Sequence, residues 1–303
     1  MNNTLARKKP RKPVLFILCS VVPTIILLGI FLVYPVIKSG ILAFQDVGLL
    51  STKGEYVGFE NFSYLFLKDT KFKMVLGNTL KIIFAVPIIT IIISFFLAIL
   101  LHRVKLKEKN LYITFYFFPY FMSSTVVAIV WSFVFYPTSG GVLNGILSAV
   151  GLGKLVTPWL GNAKTALSCI GVVIIWCCIG YYLVLYLSAL DGIPAELYEA
   201  AKIDGATSWQ QVRYVTLPLM KNILGITFVL LMSGTLAVTF VYTKVMTNGG
   251  PNGASTVLLQ YIYQQGLEQG NIGYASAITV FTMVMAIILA GASRLLTNKS
   301  EKE

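Results

Sequence analysis

The chain has 303 residues, of which 56% are hydrophobic and only 12% are charged. Soluble globular domains carry about 25% charged residues, so this composition excludes an ordinary soluble protein and indicates one that faces lipid. The 24 Lys and Arg against 12 Asp and Glu would suit nucleic acid. Because the chain has no soluble basic domain to carry that charge, we expect no nucleic-acid partner.

Six long, mainly apolar segments of the chain contain no Asp, Glu, Lys or Arg, and a helix needs about 20 mainly apolar residues to cross the hydrocarbon core. One segment is interrupted by Pro137-Thr138-Ser139-Gly140-Gly141, which is a turn signal. Residues 142–150 after this turn are too few to cross and are predicted to form an amphipathic helix at the membrane interface. A seventh span through 142–153 is the alternative.

We therefore predict an all-α integral membrane protein with six transmembrane helices. They lie near 14–37, 76–101, 111–136, 166–190, 222–245 and 274–296.

These spans form one transmembrane domain, 14–296, between a basic N-terminal tail, 1–13, and a short C-terminal tail, 297–303. Lys and Arg concentrate on the cytoplasmic side of membrane proteins. The clusters at Arg7–Lys12 and Arg103–Lys109 lie directly beside predicted spans, so both termini are expected in the cytoplasm. The first span is predicted to be a retained anchor rather than a cleaved signal peptide.

The sequence offers little material for catalysis or metal binding. It has one histidine, His102, and its four cysteines lie inside predicted spans without the spacing of a zinc site. The phosphate-binding pattern Gly-x-x-x-x-Gly-Lys-Ser/Thr does not occur in it. We therefore expect no catalytic residue, no metal and no cofactor.

The centres of the predicted spans carry no Asp, Glu, Lys, Arg or His, whereas proton- and ion-coupled carriers usually need such residues within the membrane. Sodium sites made of backbone and hydroxyl oxygens keep an ion-coupled carrier open as an alternative. If the protein moves solute uphill, the energy is expected to enter through another subunit, which directs attention to the cytoplasmic loops.

The longest predicted cytoplasmic loop between spans, 191–221, has strong local signals. Pro194 suits the first turn of a helix, and Gly205 suits the left-handed residue that ends one. The stretch Thr207-Ser208-Trp209-Gln210 carries a capping box that starts a second, short helix. Leu217-Pro218 is expected to end that helix before the fifth span begins.

The first helix of this loop is predicted to have one apolar face. The residues of that face recur at three- and four-residue spacing and are Ile193, Leu197, Ala200 and Ala201. A linker lying on lipid headgroups would explain this face together with Trp209 and Lys202. The other interpretation is a docking element, in which two adjacent alanines enter a groove on a partner and Glu199 pairs with a partner cation.

Three stretches of the loop carry a family resemblance: Glu199-Ala200-Ala201, Asp204-Gly205-Ala206 and Thr216-Leu217-Pro218-Leu219. Together they resemble the EAA loop of binding-protein-dependent ABC importer permeases. Val212 departs from the pattern, since the family often has phenylalanine at this position.

Further stretches resemble the carbohydrate-uptake branch of that family, in particular the type represented by the larger maltose permease subunit. These stretches are Val57-Gly58-Phe59-Glu60-Asn61-Phe62, Asn78-Thr79, Pro158-Trp159-Leu160, Thr247-Asn248-Gly249-Gly250-Pro251 and Tyr261-Ile262-Tyr263.

The resemblance implies the type I ABC importer permease fold, with a coupling helix that fits a cleft in an ABC ATPase subunit. The residues it assigns to that contact are Glu199, Ala200, Ala201, Asp204 and Gly205. The chain would be a non-catalytic transport subunit in a bacterial cell (inner) membrane. Its implied partners are a second permease in a heterodimer, a cytoplasmic ABC ATPase dimer, an extracellular or periplasmic solute-binding protein, membrane lipid and a carbohydrate, expected to be an oligosaccharide.

The resemblance also implies a solute path between two six-span subunits. The candidate residues, which offer aromatic rings and hydroxyl groups, are Tyr120, Ser123, Ser124, Trp176, Tyr181, Tyr182, Thr235, Thr239 and Tyr242. Those that fall where related permeases place ligand contacts are Tyr120, Ser124, Tyr181 and Thr239. The alternative is structural, because Tyr and Trp are enriched at membrane interfaces and Ser and Thr often bond within or between helices.

Four lysines, Lys71, Lys73, Lys81 and Lys244, are predicted near the outer membrane surface, where they could attract an acidic sugar. Snorkelling to lipid phosphates explains them equally well. The segment 246–268, rich in Gly, Asn and Gln, is expected to be an outer loop that meets the solute-binding protein. The alternatives for function are import of a polyol or glycerol phosphate, an ion-coupled secondary carrier, and a membrane scaffold or assembly factor.

Overall fold

The computed structural model describes residues 14–51, 54–103, 108–138 and 140–298, which are mostly helical. The N-terminal tail, positions 104–107 of the basic cluster and the chain after 298 lie outside the described residues. The helices are α1 (Val14–Leu28), α2 (Tyr34–Leu42), α3 (Glu60–Ser63), α4 (Thr70–Arg103), α5 (Lys109–Phe117), α6 (Ser124–Val134), α7 (Val142–Ala149), α8 (Ala166–Asp191), α9 (Ala195–Ile203), α10 (Ser208–Gln211), α11 (Leu217–Met246), α12 (Leu258–Tyr263) and α13 (Ile272–Asn298).

Several of these helices are joined or extended by short turns. The π turns are Gly29–Val33, Tyr64–Lys68, Val212–Thr216 and Gln264–Glu268, and the 3₁₀ turns are Phe118–Phe121 and Gly153–Leu155. Two short strands, β1 (Gln45–Asp46) and β2 (Glu55–Tyr56), pair antiparallel and form a small hairpin after the first span.

Within the described residues, five helical segments are long and apolar enough to cross a membrane. They are Cys19–Leu42, Thr70–Arg103, Ala166–Asp191, Ser208–Met246 and Ile272–Gly291. A bent pair, Lys109–Phe121 and Ser124–Val134, passes the same test as one interrupted span. With this pair counted once, the crossings number up to six.

The prediction of one continuous helix over 111–136 is wrong. The backbone leaves the helical conformation at Met122 and Ser123, with ψ angles of 145° and 128°, and the two halves are bent by 102°. The Met122 N–H donates to the Pro119 carbonyl at 3.2 Å, which closes a tight turn instead of a further α-helical turn. Hydropathy does not register this break, because the residues on both sides of it are apolar.

The expected helix end at Leu217-Pro218 is also wrong. The helix that starts at Ser208 continues through the π turn Val212–Thr216 into α11. In this turn the Leu217 N–H donates to the carbonyl of Val212, five residues back. Pro218 follows directly after this π turn, and the helix continues past it to Met246.

The membrane bundle is organised around α4 and α8, which pack along their length, and α11 lies against both. The interrupted third span, α5 and α6, contacts this central part of the bundle where α5 lies close to α8. A Cβ atom added at Gly180 would lie only 2.0 Å from the Tyr116 carbonyl oxygen and 2.5 Å from the Phe117 Cα. The backbone of α5 therefore occupies the space that a side chain at position 180 would need.

The two ends of the bundle differ in structure. At one end, called the loop end below, α4 ends at Arg103, α8 ends at Asp191, and α9 and α10 follow. At the other, distal end, the segment between α11 and α13 is held against the start of α4. The Asn78 side chain donates to the carbonyls of Ala254 and Thr256 at 3.0 and 3.1 Å.

A buried carboxylate completes this distal attachment. Asp69 accepts hydrogen bonds from the hydroxyls of Tyr261, at 2.6 Å, and Tyr274, and from the Phe72 N–H at 3.0 Å. Burial disfavours the charged form of Asp69, but these hydrogen bonds outweigh it and hold its pKa below the usual value. The segment 246–268, expected to be a loop, is therefore largely an ordered, packed part of the bundle.

The short helix predicted within 142–150 is present as α7, which has eight residues and cannot span a membrane. Its polar residue Asn144 is fully buried. The Asn144 side chain donates to the Thr157 carbonyl at 3.0 Å and accepts from Trp159 Nε1 at 2.8 Å. The polar side of α7 therefore bonds within the chain, and it holds the segment around Thr157 and Trp159 that leads into α8.

Gly180→Ala is expected to destabilise the protein, because the added methyl group cannot fit without moving the α5 backbone. Overpacking of this kind typically costs about 1–3 kcal/mol, occasionally more. Thermal unfolding in detergent would measure the loss. Gly234→Ala in α11 is the matched control, since a Cβ there meets nothing within 4 Å; equal melting temperatures for the two variants would contradict the close packing of α5 on α8.

Candidate functional site

The loop between α8 and α11 has the predicted glycine corner. Helix α9 ends at Ile203, and Gly205 has a φ of +78°, in the left-handed region. The Gly205 N–H donates to the Lys202 carbonyl at 3.0 Å and the Ala206 N–H to the Ala201 carbonyl at 2.9 Å. These two bonds form a Schellman motif, whose left-handed position is usually occupied by glycine, so the backbone conformation explains Gly205.

The second half of the corner is fixed by the predicted capping box, which is confirmed. Thr207 Oγ1 accepts from the Gln210 N–H at 3.4 Å, and the Thr207 N–H donates to Gln210 Oε1 at 2.7 Å. Pro194 differs slightly from its prediction, because it occupies the N-cap of α9 rather than its first turn. The corner between α9 and α10 is therefore held from both sides by local hydrogen bonds.

Most residues assigned to the coupling contact lie on the outside of this corner. Glu199, Ala200, Asp204 and Gly205 are exposed, while Ala201 is half-buried. Beside them Ile203 and Trp209 expose 86% and 70% of their surface, which is unusual for such large apolar residues on a polar loop. Among the described residues Glu199 makes no ion pair. The corner thus offers an apolar surface with a free carboxylate.

The opposite side of the loop is attached to the bundle. The Tyr198 hydroxyl lies 3.0 Å from Thr216 Oγ1 and forms a hydrogen bond with it. Gln211 is buried and donates to the Ala206 carbonyl at 3.3 Å. The exposed corner is therefore supported by α9 on one side and by the beginning of the α11 helix on the other.

The candidates for a solute path separate into two groups. In the first group, the Tyr120 and Tyr181 rings are stacked, with centroids 4.7 Å apart and planes 18° from parallel. Tyr120 is 46% exposed and lies directly before the break in the third crossing. Trp176 is 37% exposed and packs on Trp131 at 5.4 Å.

Ser123 is exposed and Ser124 is half-buried beside this aromatic surface, while Tyr182 is buried behind it.

The second group lies on α11 and is enclosed by the chain itself. Thr235, Thr239 and Tyr242 are only 1–3% exposed. The Thr239 hydroxyl donates to the Thr235 carbonyl at 2.5 Å, and the Tyr242 hydroxyl contacts Cys177 Sγ at 3.4 Å. In this conformation these residues are core residues, and the two groups adjoin at Ser124, whose side chain forms a hydrogen bond with Tyr242.

A groove that is not among the features predicted from the sequence lies next to the stacked tyrosines. An apolar cavity of about 350 Å³ runs between α5 and α8 and is lined by Phe115, Tyr116, Phe118 and Trp176, among others. The signal was available, because seven of the ten residues in 112–121 are aromatic in the sequence. The prediction of a span over 111–136 does not by itself indicate a groove beside it.

Two of the four lysines predicted near the outer surface, Lys244 and Lys71, have partners within the chain. Lys244 Nζ forms an ion pair with Glu268 Oε1 at 2.5 Å and lies 4.7 Å from the centre of the Tyr263 ring. Lys71 lies 5.4 Å from the centre of the Tyr261 ring. Lys244 is therefore neutralised by Glu268 rather than held as a free cation.

Residues 66–302 match the family described as binding-protein-dependent transport system inner membrane component. The chain belongs to this family. It is thus a multi-pass membrane protein, and the predicted fold class and the resemblance are confirmed.

Individual members of the family are similar over most of their length. A probable ABC transporter permease protein of Pyrococcus horikoshii, PH1215, is 32% identical over 93% of this chain and 95% of its own. The diacetylchitobiose uptake system permease NgcF of Streptomyces coelicolor is 30% identical over 87% and 77%. The arabinooligosaccharide transport permease AraP of Bacillus subtilis is 28% identical over 93% and 88%.

Solved structures agree with this assignment. A chain of a bacterial ABC transporter that imports the acidic polysaccharide alginate matches with a TM-score of 0.82 at 27% identity, over 94% of this chain and 96% of that one. The MetNI methionine ABC transporter matches with a TM-score of 0.54 at 17% identity, over 80% and 98%, which shows a shared fold alone.

Gly205→Val is expected to abolish transport while leaving membrane insertion intact. A Cβ at this position meets nothing within 4 Å, so the effect comes from the left-handed backbone, which costs an ordinary residue about 1–2 kcal/mol. Solute uptake and membrane abundance should be measured together. Gly205→Asn is the matched control, because asparagine tolerates this conformation and should retain uptake; normal uptake by the valine variant at wild-type abundance would contradict a role for the corner.

Proposed function

We propose that this chain is the non-catalytic permease subunit of an ATP-driven importer of a carbohydrate, expected to be an oligosaccharide. It would form the translocation path with a second permease and couple to a cytoplasmic ABC ATPase dimer through the corner between α9 and α10. An extracellular or periplasmic binding protein would deliver the solute. The observation that carries this proposal is the rigid, exposed corner at Gly205, with its free Glu199 carboxylate and its Ala200-Ala201 surface.

The names of the relatives support carbohydrate as the solute class. Beyond the diacetylchitobiose and arabinooligosaccharide permeases, they include a lactose transport permease of Rhizobium radiobacter and a multiple sugar-binding transport permease of Streptococcus mutans. A polyol or glycerol phosphate is not named among these. The alginate importer was solved in complex with a periplasmic protein that holds an alginate pentasaccharide, which supports a binding-protein partner.

Charge at the distal end is compatible with a neutral and with an acidic sugar, because Lys71, Lys73 and Lys81 make no ion pair among the described residues whereas Lys244 does. Relatives are named for both kinds, since a polygalacturonan/rhamnogalacturonan permease of Bacillus subtilis is 30% identical. In this chain Lys244, the candidate cation at the end of α11, is already paired with Glu268. An acidic sugar would have to compete with that carboxylate, whereas a neutral sugar can stack on aromatic rings without displacing it.

The loop end is proposed to face the cytoplasm. Four basic residues lie at this end outside any ion pair among the described residues: Arg103, Lys202, Arg213 and Lys221. An excess of Lys and Arg in short loops beside spans is typical of the cytoplasmic side. This orientation brings the exposed corner to the compartment that contains ATP and puts both termini there as well.

A second permease would cover surfaces that this chain leaves open. Tyr120 and Tyr181 form a stacked pair that is accessible from one side, next to the apolar groove between α5 and α8. None of the apolar window of Cys19–Leu42 is buried within the chain. Such apolar surfaces can face either lipid or a partner subunit. A path for a polar sugar has to be shielded from lipid, so it requires the partner subunit.

The coupling role can be tested by purifying the tagged protein in mild detergent and identifying the proteins that accompany it. Wild type is expected to bring an ABC ATPase and a second permease, while Glu199→Arg plus Ala200→Arg loses the ATPase and keeps the permease. Glu108→Arg plus Asn110→Arg changes the charge equally at the same end, away from the corner, and should keep both. An ATPase-free preparation that still takes up solute would overturn the proposal in favour of an ion-driven carrier.

The solute contact can be tested at the stacked tyrosines. Tyr181→Ala is expected to lower uptake by up to about tenfold, since an aromatic contact of this kind contributes roughly 0.5–1.5 kcal/mol. The rate of sugar uptake at limiting concentration is the measurement. Phe133→Ala, at a residue that is 65% exposed on α6, is the control for loss of an aromatic side chain. Equal uptake by both variants would remove Tyr181 from the path.

A further inference from the structure

A second cavity lies behind the corner, between α9 and the ends of the membrane helices, with a volume of about 320 Å³. Its lining is polar on one side and apolar on the other. Three basic side chains line it, His102, Arg103 and Lys202, and Ser208 and Gln211 add a hydroxyl and an amide. Ile99 and Leu190 form its apolar part.

The charges around this cavity leave it positive. His102 Nδ1 lies 2.9 Å from Asp191 Oδ1, so this carboxylate is engaged with the imidazole. Asp191 itself is not part of the cavity lining, and among the described residues no carboxylate lines the cavity. Arg103 and Lys202 make no ion pair among the residues that the structure describes. Two permanent cations therefore face the same space without an acidic partner.

The position of the cavity fits an amphiphilic anion. Arg103 is the last residue of α4, and Leu190 immediately precedes the last residue of α8. The cavity thus lies at the level where two membrane helices end, with its apolar residues on the bundle side and its cations on the loop side. Headgroup phosphates of a bilayer occupy this level, above the acyl chains.

We propose that this cavity binds a phosphate-bearing anion, either the headgroup of an anionic phospholipid or free phosphate. Arg103 and Lys202 would contact the phosphate oxygens, and Ser208 and Gln211 would donate further hydrogen bonds. Ile99 and Leu190 would contact the glycerol and the first acyl carbons when the source is a lipid.

Binding at this site would connect two parts of the protein. Arg103 belongs to α4, whereas Lys202 belongs to α9 and Ser208 to α10, on either side of Gly205. An anion held by all three would restrain the corner against the bundle. Anion binding itself does not depend on the proposed function, whereas any effect of this restraint on ATPase coupling rests on it.

Binding is testable by native mass spectrometry of the full chain, purified with whichever subunits accompany it and supplied with phosphatidylglycerol or phosphatidylcholine. Wild type is expected to retain phosphatidylglycerol, and Arg103→Gln plus Lys202→Gln to retain about tenfold less or lower, since each basic residue contributes to attraction of anionic lipid. Arg213→Gln plus Lys221→Gln is the matched control. It removes the same charge at the same end, outside the cavity, and should bind like wild type.

Competition by inorganic phosphate separates the two sources. Displacement of phosphatidylglycerol by millimolar phosphate would assign the site to phosphate from either source, and retention of the lipid would assign it to the headgroup. Equal retention of phosphatidylglycerol by the cavity variant and the control variant, together with no measurable binding of phosphate to wild type, would overturn the proposal.

The restraint of the corner by a bound anion can be measured separately, in an experiment that needs no ATPase. Hydrogen exchange of residues 195–206 should slow when phosphatidylglycerol is added to wild type and stay unchanged in the cavity variant. Slower exchange in both proteins would assign the effect to the bulk membrane and overturn the restraint. The co-purification experiment with Glu199→Arg plus Ala200→Arg tests the proposed function alone. A failure of the proposed function can therefore be distinguished from a failure of the anion-binding proposal.

Discussion

A chain in hydrocarbon must satisfy its backbone hydrogen bonds from within, because no water is present to accept or donate them. Most of this protein meets that requirement with long helices, and non-helical backbone within a span is tolerated only where protein or a polar cavity surrounds it. The break at Met122 and Ser123 is such a place. It lies beside the stacked Tyr120 and Tyr181 rings, so the one interrupted span among the described residues coincides with the best candidate for solute contact.

Close packing explains why the break can be held in a defined geometry. The α5 backbone rests directly on α8 at Gly180, where no side chain would fit. The next residue of α8 is Tyr181, and the 3₁₀ turn that follows α5 carries Tyr120. One missing side chain therefore brings two rings from different helices into contact. The second half of the crossing, α6, packs on α11 and does not depend on Gly180, so this approach fixes the first half, α5, against the bundle.

Local chemistry could be predicted from the sequence, and long-range contacts could not. Charge-free segments indicate most of the spans, and the corner at Gly205 follows from a left-handed glycine and a capping box that involve neighbours in the chain. The packing of the segment 246–268 depends on Asn78, which lies 176 residues from its partner Ala254. No local pattern reports such a contact.

The burial of the hydroxyl groups on α11 also depends on long-range contacts and could not be predicted from the sequence. Thr235 and Thr239 look like polar residues available to solute, but their exposure is decided by which helices pack on that face. The continuation past Pro218 was missed for a different reason. Proline usually ends a helix because it has no N–H to donate, whereas here a π turn, in which the Leu217 N–H bonds to the Val212 carbonyl, precedes Pro218 and the helix continues.

That continuation bears on how force would travel from an ATPase to the solute path. The corner joins α8 through Gly192-Ile193-Pro194, which is not helical, but it joins α11 through α10 and the π turn without interruption. A displacement of the corner would therefore move α11 more directly than α8. Under the proposed function, such a movement would displace Thr235, Thr239 and Tyr242, which α11 carries in the core, relative to α8.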